Sequence, residues 1–207
     1  MAKTNPKKSK NMNLTNKLID QGKQPNGFIG KVMLKIMNSA HKQMTKWSLS
    51  KINIADNSII LDIGCGGGKT LQLLNELAKN GKIYGIDYSE ESIKLSTKEN
   101  KKAVLNGKVI VKQGSVSSIP FSDDTFDIIT AFQTHYFWPD LKNDIKEVNR
   151  VLKPNGQFLL VSELYKIEYH IKEYKTTESM EKLFLNSGFK NVDIFKTNKD
   201  VCFLGIK

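Results

Sequence analysis

A chain of 207 residues, 39% of them hydrophobic, is long enough for one full α/β core, and it has no run near the roughly 18 apolar residues of a membrane-spanning helix. Cys65 and Cys202 lie far apart, which argues against a disulfide framework and against a metal site built on closely spaced thiolates. The formal charge of +11 rests almost wholly on lysine, with Arg150 the sole arginine; base and phosphate recognition favour arginine forks, so a solvated lysine surface is favoured over a nucleic-acid-binding one.

Residues 1–25 are polar and Lys/Asn-rich, with a basic cluster at Lys3, Lys7, Lys8 and Lys10. They read as a mobile basic tail, without the apolar core of a secretory signal, and a cytoplasmic protein is expected. Residues 26–207 read as a single domain. Within it, Ile29, Met33, Ile36, Ala40, Met44 and Trp47 recur at spacings of three and four, which predicts an amphipathic helical segment, either a helix packed on the sheet edge or a lid over residues 26–50 that covers a ligand. Met33 or Met37 and His41 would face a ligand beneath it.

The stretch Ile59–Thr70, IILDIGCGGGKT, is a buried strand that reaches Asp62 and then turns through Gly64, Gly66, Gly67 and Gly68. Cys65 sits in that turn, where a small residue is required. From Thr70, the residues Leu71, Leu74, Leu77 and Ala78 keep helical spacing. Strand, glycine turn and helix together present backbone N–H groups at a strand tip to a polar ligand. A dinucleotide turn, G-x-G-x-x-G, would need glycine where Lys69 stands.

Lys82–Asp87 (KIYGID) is a second strand. Asp87 follows Gly66 by 21 positions, which places a carboxylate at the neighbouring strand tip, able to accept from two ribose hydroxyls. Ser89 is an N-cap for a helix over Ser92–Lys102. Gly107–Gln113 is the third strand, followed by Gly114, Ser115 and Val116. Ile128–Phe132 is the fourth, followed by Gln133-Thr134-His135-Tyr136-Phe137-Trp138-Pro139. A helix with Leu141, Ile145 and Val148 ends in the turn RVLKPNG (Arg150–Gly156), and Gln157–Leu164 is the fifth strand. After a helix at Thr176–Ser187, Val192–Phe195 and Val201–Ile206 form an antiparallel pair. Such alternation implies an α/β fold with a doubly wound sheet, whose ligands bind outside the carboxyl ends of the strands. Asp62, Gly64, Asp87, Ser115 and Gln133–Tyr136 all fall at such ends.

LDIGCGGG, the acid Asp87, the order Q-G-S-x(4)-P-F-x-D-x-x-F-D and RVLKPNG together resemble the class I S-adenosylmethionine (SAM)-dependent methyltransferases of the small-molecule type (type 11/25-like), over residues 59 to about 165. The resemblance implies a Rossmann-like seven-stranded sheet with an antiparallel last strand and an N-terminal helical lid. It implies SAM as the cofactor and S-adenosylhomocysteine (SAH) as its product, held by Asp62, Gly64, Cys65, Gly66, Gly68, Asp87, Tyr88, Gly114, Ser115, Val116 and Gln133. The family's usual Asp after the third strand is Ser115 here, a hydroxyl that accepts without charge assistance. Transfer would be an in-line displacement onto a small-molecule acceptor, resting on alignment and exclusion of water. His135 and Tyr136, just after the fourth strand, are the candidate catalytic residues. Tyr136, Phe137 and Trp138 are candidates for the acceptor wall, and Glu163 and Tyr165 could face the acceptor. The N-P-P-Y box of amino-methylating nucleic-acid enzymes is absent. No metal and no membrane are expected, and a monomer or homodimer would suffice. A tRNA or rRNA methyltransferase, a non-catalytic SAM-binding protein and a nicotinamide oxidoreductase remain alternative readings.

Overall fold

The computed structural model describes residues 42–207. The tail and residues 26–41 of the expected lid, with Met33, Met37 and His41, lie outside the described residues. The last part of that amphipathic segment is a helix, α1 (Lys42–Leu49), which buries Met44, Thr45, Ser48 and Leu49.

Strand and helix then alternate. In chain order come β1 (Ile59–Ile63), α2 (Lys69–Leu77), β2 (Lys82–Asp87), α3 (Glu90–Glu99), α4 (Lys101–Leu105), β3 (Val109–Gln113) and β4 (Phe126–Phe132). A 3-10 turn (His135–Phe137) leads to α5 (Leu141–Val151), β5 (Leu152–Glu163), α6 (Leu164–His170), α7 (Thr177–Asn186), β6 (Asn191–Lys196) and β7 (Asp200–Ile206). The seven strands form one sheet in the order β3-β2-β1-β4-β5-β7-β6. β1 pairs in parallel with β2 and β4, β2 with β3, and β4 with β5. β7 runs antiparallel between β5 and β6. This is the doubly wound sheet with an antiparallel last strand, and the order reverses between β1 and β4, the switch point at which ligands bind.

The central strands are apolar at consecutive positions because both faces are covered. Leu61, Ile129 and Leu160 point to one face, where they meet Ile145 and Val148 of α5 and Met180 and Phe184 of α7. Their neighbours Ile60, Ile128 and Leu159 point to the other, against Leu71 and Leu74 of α2 and Met44 and Leu49 of α1. Burial of each such side chain contributes about 1.5–3 kcal/mol. The helix starts follow the expected chemistry. Ser89 accepts from the Ser92 N–H, and Thr176 and Ser179 form a reciprocal capping box.

β3 and β4 begin two residues away from the expected starts, at Val109 and Phe126, and three further boundaries differ for a visible physical reason. β5 begins at Leu152 rather than Gln157, so the KPNG turn lies inside the strand as an irregularity with Asn155 at φ 64°. Its peptide groups find partners: Asn155 N–H donates to the Lys207 carbonyl and Lys207 N–H to that of Gly156. The helix expected over Ser92–Lys102 starts at Glu90 and breaks at Asn100, whose side-chain amide donates to the carbonyls of Gly68 and Ser96. Finally, Leu164 opens α6 rather than closing β5. No helix among the described residues is long and apolar enough to cross a membrane.

Candidate active site

The glycine turn hangs on the end of β2. Gly64 and Cys65 both donate their N–H to the Ile86 carbonyl, at 2.8 and 3.1 Å. Gly64, Gly66 and Gly68 have φ of 71°, 51° and 78°, a left-handed backbone that side chains disfavour. Space adds to the requirement. A Cβ on Gly64 would lie 2.5 Å from Thr134 Cγ2, and one on Gly68 2.5 Å from Ser96 Oγ. Cys65 is buried, with its sulfur against Gly85. Burial holds its thiol well above the usual range, so it is a packing group and not a nucleophile.

Asp87 closes the turn from the neighbouring strand. One carboxylate oxygen accepts from Gly66 N–H and the other from Ser89 N–H, both at 2.9 Å. Burial raises its pKa, while these two bonds lower it. Tyr88 follows directly and is 63% exposed. Gly114 N–H donates to the Asp87 carbonyl, which brings the loop after β3 alongside. There Ser115 Oγ accepts from Ser117 N–H at 3.2 Å and Val116 is buried. The residues expected at three separate strand ends thus flank one turn.

Asp62 lies beneath it, 2% exposed, accepting from Thr130 Oγ1 at 2.7 Å. Burial pushes its pKa up to about 7, the Thr130 bond opposes the shift, and the Asp87 charge adds to it. Its proton therefore exchanges near neutrality, where a nearby cation would expel it.

A second group of residues stands at the ends of β4 and β5. Gln133, at φ 59°, is buried. Its side-chain carbonyl accepts from the Tyr136 hydroxyl and from Lys166 Nζ at 3.1 Å, and its amide nitrogen lies 3.0 Å from Met44 Sδ. Lys166 is also paired with Glu163 at 2.6 Å. Burial raises the Tyr136 pKa well above the ordinary phenol range, and the ring stacks on His170 with centroids 5.3 Å apart. His135 is 1% exposed; its Nδ1 lies 3.0 Å from Ser162 Oγ, and burial draws its pKa down to about 3. Trp138 Nε1 donates to Thr134 Oγ1 at 2.9 Å. Tyr165 is 62% exposed. A cavity of about 460 Å³ opens beside this group, lined among others by His135, Tyr136, Trp138, His170 and Tyr174.

The sequence reading did not single out Met44 as a partner of Gln133, nor Thr134, Lys166, His170 or Tyr174. Lys166 carries a local signal, an acid three positions earlier at Glu163. The others are joined to the site only by tertiary contact.

Comparison with known proteins agrees with this geometry. A family model described as a methyltransferase domain matches residues 54–200. A demethylmenaquinone methyltransferase of Lactiplantibacillus plantarum is 31% identical over 120 residues, which are 58% of this chain and 51% of that protein. The uncharacterised methyltransferase YdaC of Bacillus subtilis is 26% identical over 166 residues, 79% of this chain and 90% of that one. The chain therefore spans about half the length of the first relative (51%) and most of the second (90%). Among solved structures, a SAM-dependent methyltransferase from Aquifex aeolicus superposes with a TM-score of 0.67 at 20% identity, over 82% of this chain and 97% of that one, a likeness of fold.

Proposed function

The chain belongs to the methyltransferase-domain family, as a class I SAM-dependent member, and on that premise we propose that it moves a methyl group from SAM to a small molecule. The observation that carries this reading is the joint between Asp87 and Gly66, a carboxylate locked at 2.9 Å onto the glycine turn. It puts a hydroxyl-binding acid and a side-chain-free backbone in one crevice.

The residues fit SAM. Gly64 and Gly68 leave room that a Cβ would fill. Asp87 keeps lone pairs for the ribose hydroxyls, and exposed Tyr88 with Gly114, Ser115 and Val116 would border the adenine. Asp62, the buried carboxyl at the end of β1, would serve the amino-acid end with Gln133. Cys65 and Gly66 would contribute backbone. When bound, SAM supplies a methyl group already activated by its sulfonium. What remains for the chain is to hold, align and exclude water.

The acceptor would lie against His135 and Tyr136. Tyr136 keeps its proton and stays bound to Gln133, which fixes the wall. His135 is neutral at physiological pH. A neutral hydroxyl oxygen that has just taken a methyl group is strongly acidic, so even a weak base in contact can accept its proton, whereas a methylated amine can keep its own.

The cavity beside Tyr136 supports a small acceptor, and so does the likeness to the Lactiplantibacillus demethylmenaquinone methyltransferase. Part of the lysine charge is turned away from the crevice. Lys79, Lys82 and Lys108 share a hollow at the amino ends of β1–β3, away from the crevice. Incubation with methyl-labelled SAM and either a metabolite extract or total RNA tests the proposal. Label should enter a small molecule. Label in RNA alone would refute the acceptor class, and no label in either pool would favour a non-catalytic SAM-binding protein.

A further inference from the structure

At the amino ends of β1–β3, the opposite end of the strands from the glycine turn, lies a hollow of about 540 Å³ that methyl transfer does not use. Three turns wall it. The turn before β1 brings Asn57. The turn between α2 and β2 brings Lys79 and, where β2 starts, Lys82. The turn between α4 and β3 brings Asn106 and Lys108.

These turns are fastened to one another. Asp56 accepts from Lys79 N–H at 2.9 Å and, through its other oxygen, from the Asn80 side chain. Lys82 N–H donates to the Ser58 carbonyl at 3.1 Å, and Ile83 N–H to the Lys108 carbonyl at 3.0 Å. A Cβ on Gly81 would lie 2.2 Å from the Ser58 carbonyl oxygen, so the first two turns touch through bare backbone. The lysines and asparagines are carried on a fixed frame.

They present cations and amides. Lys79 and Lys82 are exposed, and their ammonium groups have no hydrogen-bond or ion-pair partner among the described residues. The Lys108 ammonium donates to the Lys79 carbonyl, a bond that holds the charge in place without cancelling it. The side-chain amides of Asn57 and Asn106 also lack a partner among the described residues. No carboxylate lines the hollow, and both oxygens of nearby Asp56 are engaged. The carboxyl end of α2 offsets about half a unit of the lysine charge, and a positive surplus remains.

The ligand chemistry follows from these groups. Ammonium groups act as point charges and suit phosphate without forming a fork. A phosphate group offers three acceptor oxygens and up to about two negative charges, which matches donors brought from three turns better than a carboxylate does. No aromatic ring lines the hollow, so no platform stacks a base.

We propose that this hollow binds a phosphate group, with Lys79 and Lys82 as charge partners and Asn57 and Asn106 as neutral donors, the phosphate being that of a free phosphate compound or of a phospholipid headgroup. Such a site is separate from the methyl-transfer crevice and would stand whether or not the chain transfers methyl groups.

Pyrophosphate is titrated into the full-length chain by calorimetry, at an ionic strength fixed with sodium chloride. Binding should saturate at one per chain, and Lys79→Gln with Lys82→Gln should weaken it about tenfold or more. The charge-matched pair Lys182→Gln with Lys190→Gln changes exposed lysines beside β6, at the far edge of the sheet. It should leave binding nearly unchanged, because salt screens distant surface charges. In nitrogen-15 NMR, the side-chain amide signals of Asn57 and Asn106 should move during the titration. Equal losses in the two double variants, binding that does not saturate, or unmoved amide signals at saturation would each overturn the proposal. So would a single-stranded oligouridylate that binds through Lys79 and Lys82 where pyrophosphate does not, which would make this face a nucleic-acid surface. Vesicles of phosphatidylcholine containing phosphatidic acid read the source. If they sediment the original chain and not the Lys79/Lys82 variant, the phosphate is a lipid's; pyrophosphate binding without vesicle binding assigns the site to a free phosphate compound.

Discussion

Thr134 occupies the space that a side chain on Gly64 would need: the two come within 2.5 Å as soon as a Cβ is placed on the glycine. The turn expected to hold the methyl donor is therefore packed directly on the loop expected to face the acceptor. Any side chain at position 64 has to push that loop away.

Gly64→Ala should lower stability by about 2–4 kcal/mol, from a left-handed φ together with the steric overlap. Urea unfolding checks the figure. Thr134→Ser removes the closest methyl and keeps the oxygen bound to Trp138, so the double variant should regain part of the loss. The remaining part is backbone strain together with the overlap left at the position-134 Cβ, 2.9 Å from the added methyl.

Asp87→Ala should weaken SAM binding by about 10–100-fold, the value of one or two charge-assisted hydrogen bonds. Calorimetry with SAM reads this directly. An unchanged dissociation constant would remove Asp87 from the site. Asp87→Asn retains one acceptor oxygen for the Gly66 or Ser89 N–H and should fall between the two.

Asp62 should make SAM binding depend on pH. Its pKa of about 7 in the free protein means that it is part-protonated at neutrality. The positive charges of SAM favour the anion, so binding should release a proton and SAM affinity should rise between about pH 6 and 8. SAH lacks the sulfonium and should show a shallower rise. Calorimetry in two buffers of different ionisation heat counts the protons, and Asp62→Asn should abolish the slope.

The same carboxyl and His135 have opposite effects on the stability of the fold. Asp62 binds its proton more tightly folded than unfolded, so its contribution is full below about pH 3.8 and is lost as pH rises to about 7. His135 binds its proton more weakly folded, so its contribution is full above about pH 6.5 and is lost as pH falls to about 3. Between about pH 4 and 6.5 the two slopes oppose each other, so their joint contribution to the melting profile should be small. In Asp62→Asn, melting temperature should climb with pH across that window. A variant profile parallel to the original would show that Asp62 does not titrate there.

Arg150 fixes the loop between β3 and β4. Its guanidinium donates to the Ile119 and Phe121 carbonyls, to Asp123 and to Glu147, and Glu147 in turn accepts from Ile119 N–H. Arg150→Ala should cost about 2–3 kcal/mol in chemical denaturation, and Arg150→Lys should recover little, because a point charge cannot reproduce the fork.

The sheet was legible because its signals are local. Apolar runs end at Asp62 and Asp87, and the spacing of Gly66 and Asp87 matches one strand–helix–strand unit, so their meeting at 2.9 Å follows from the sequence. The alternation of strands and helices likewise gave the parallel pairs and the antiparallel close. What escaped was settled by distant partners. Leu152–Gly156 reads as a turn, yet it is held in β5 by Lys207, some fifty residues away. Asn100 reads as one more helical residue, yet its amide is drawn to the Gly68 carbonyl. His135 reads as an ordinary candidate base in a loop. Its burial beside Ser162, which lowers its basicity, appears only when β4 and β5 are side by side.

Gln133 deserves a last consequence. One side chain touches Met44 in α1, Tyr136 in the 3-10 turn and Lys166 in α6. Three segments remote in sequence therefore share a single hinge pin, and none shifts without pulling the other two. A fault anywhere along this linkage would leave each ligand bound but out of line, an enzyme that saturates normally and turns over slowly.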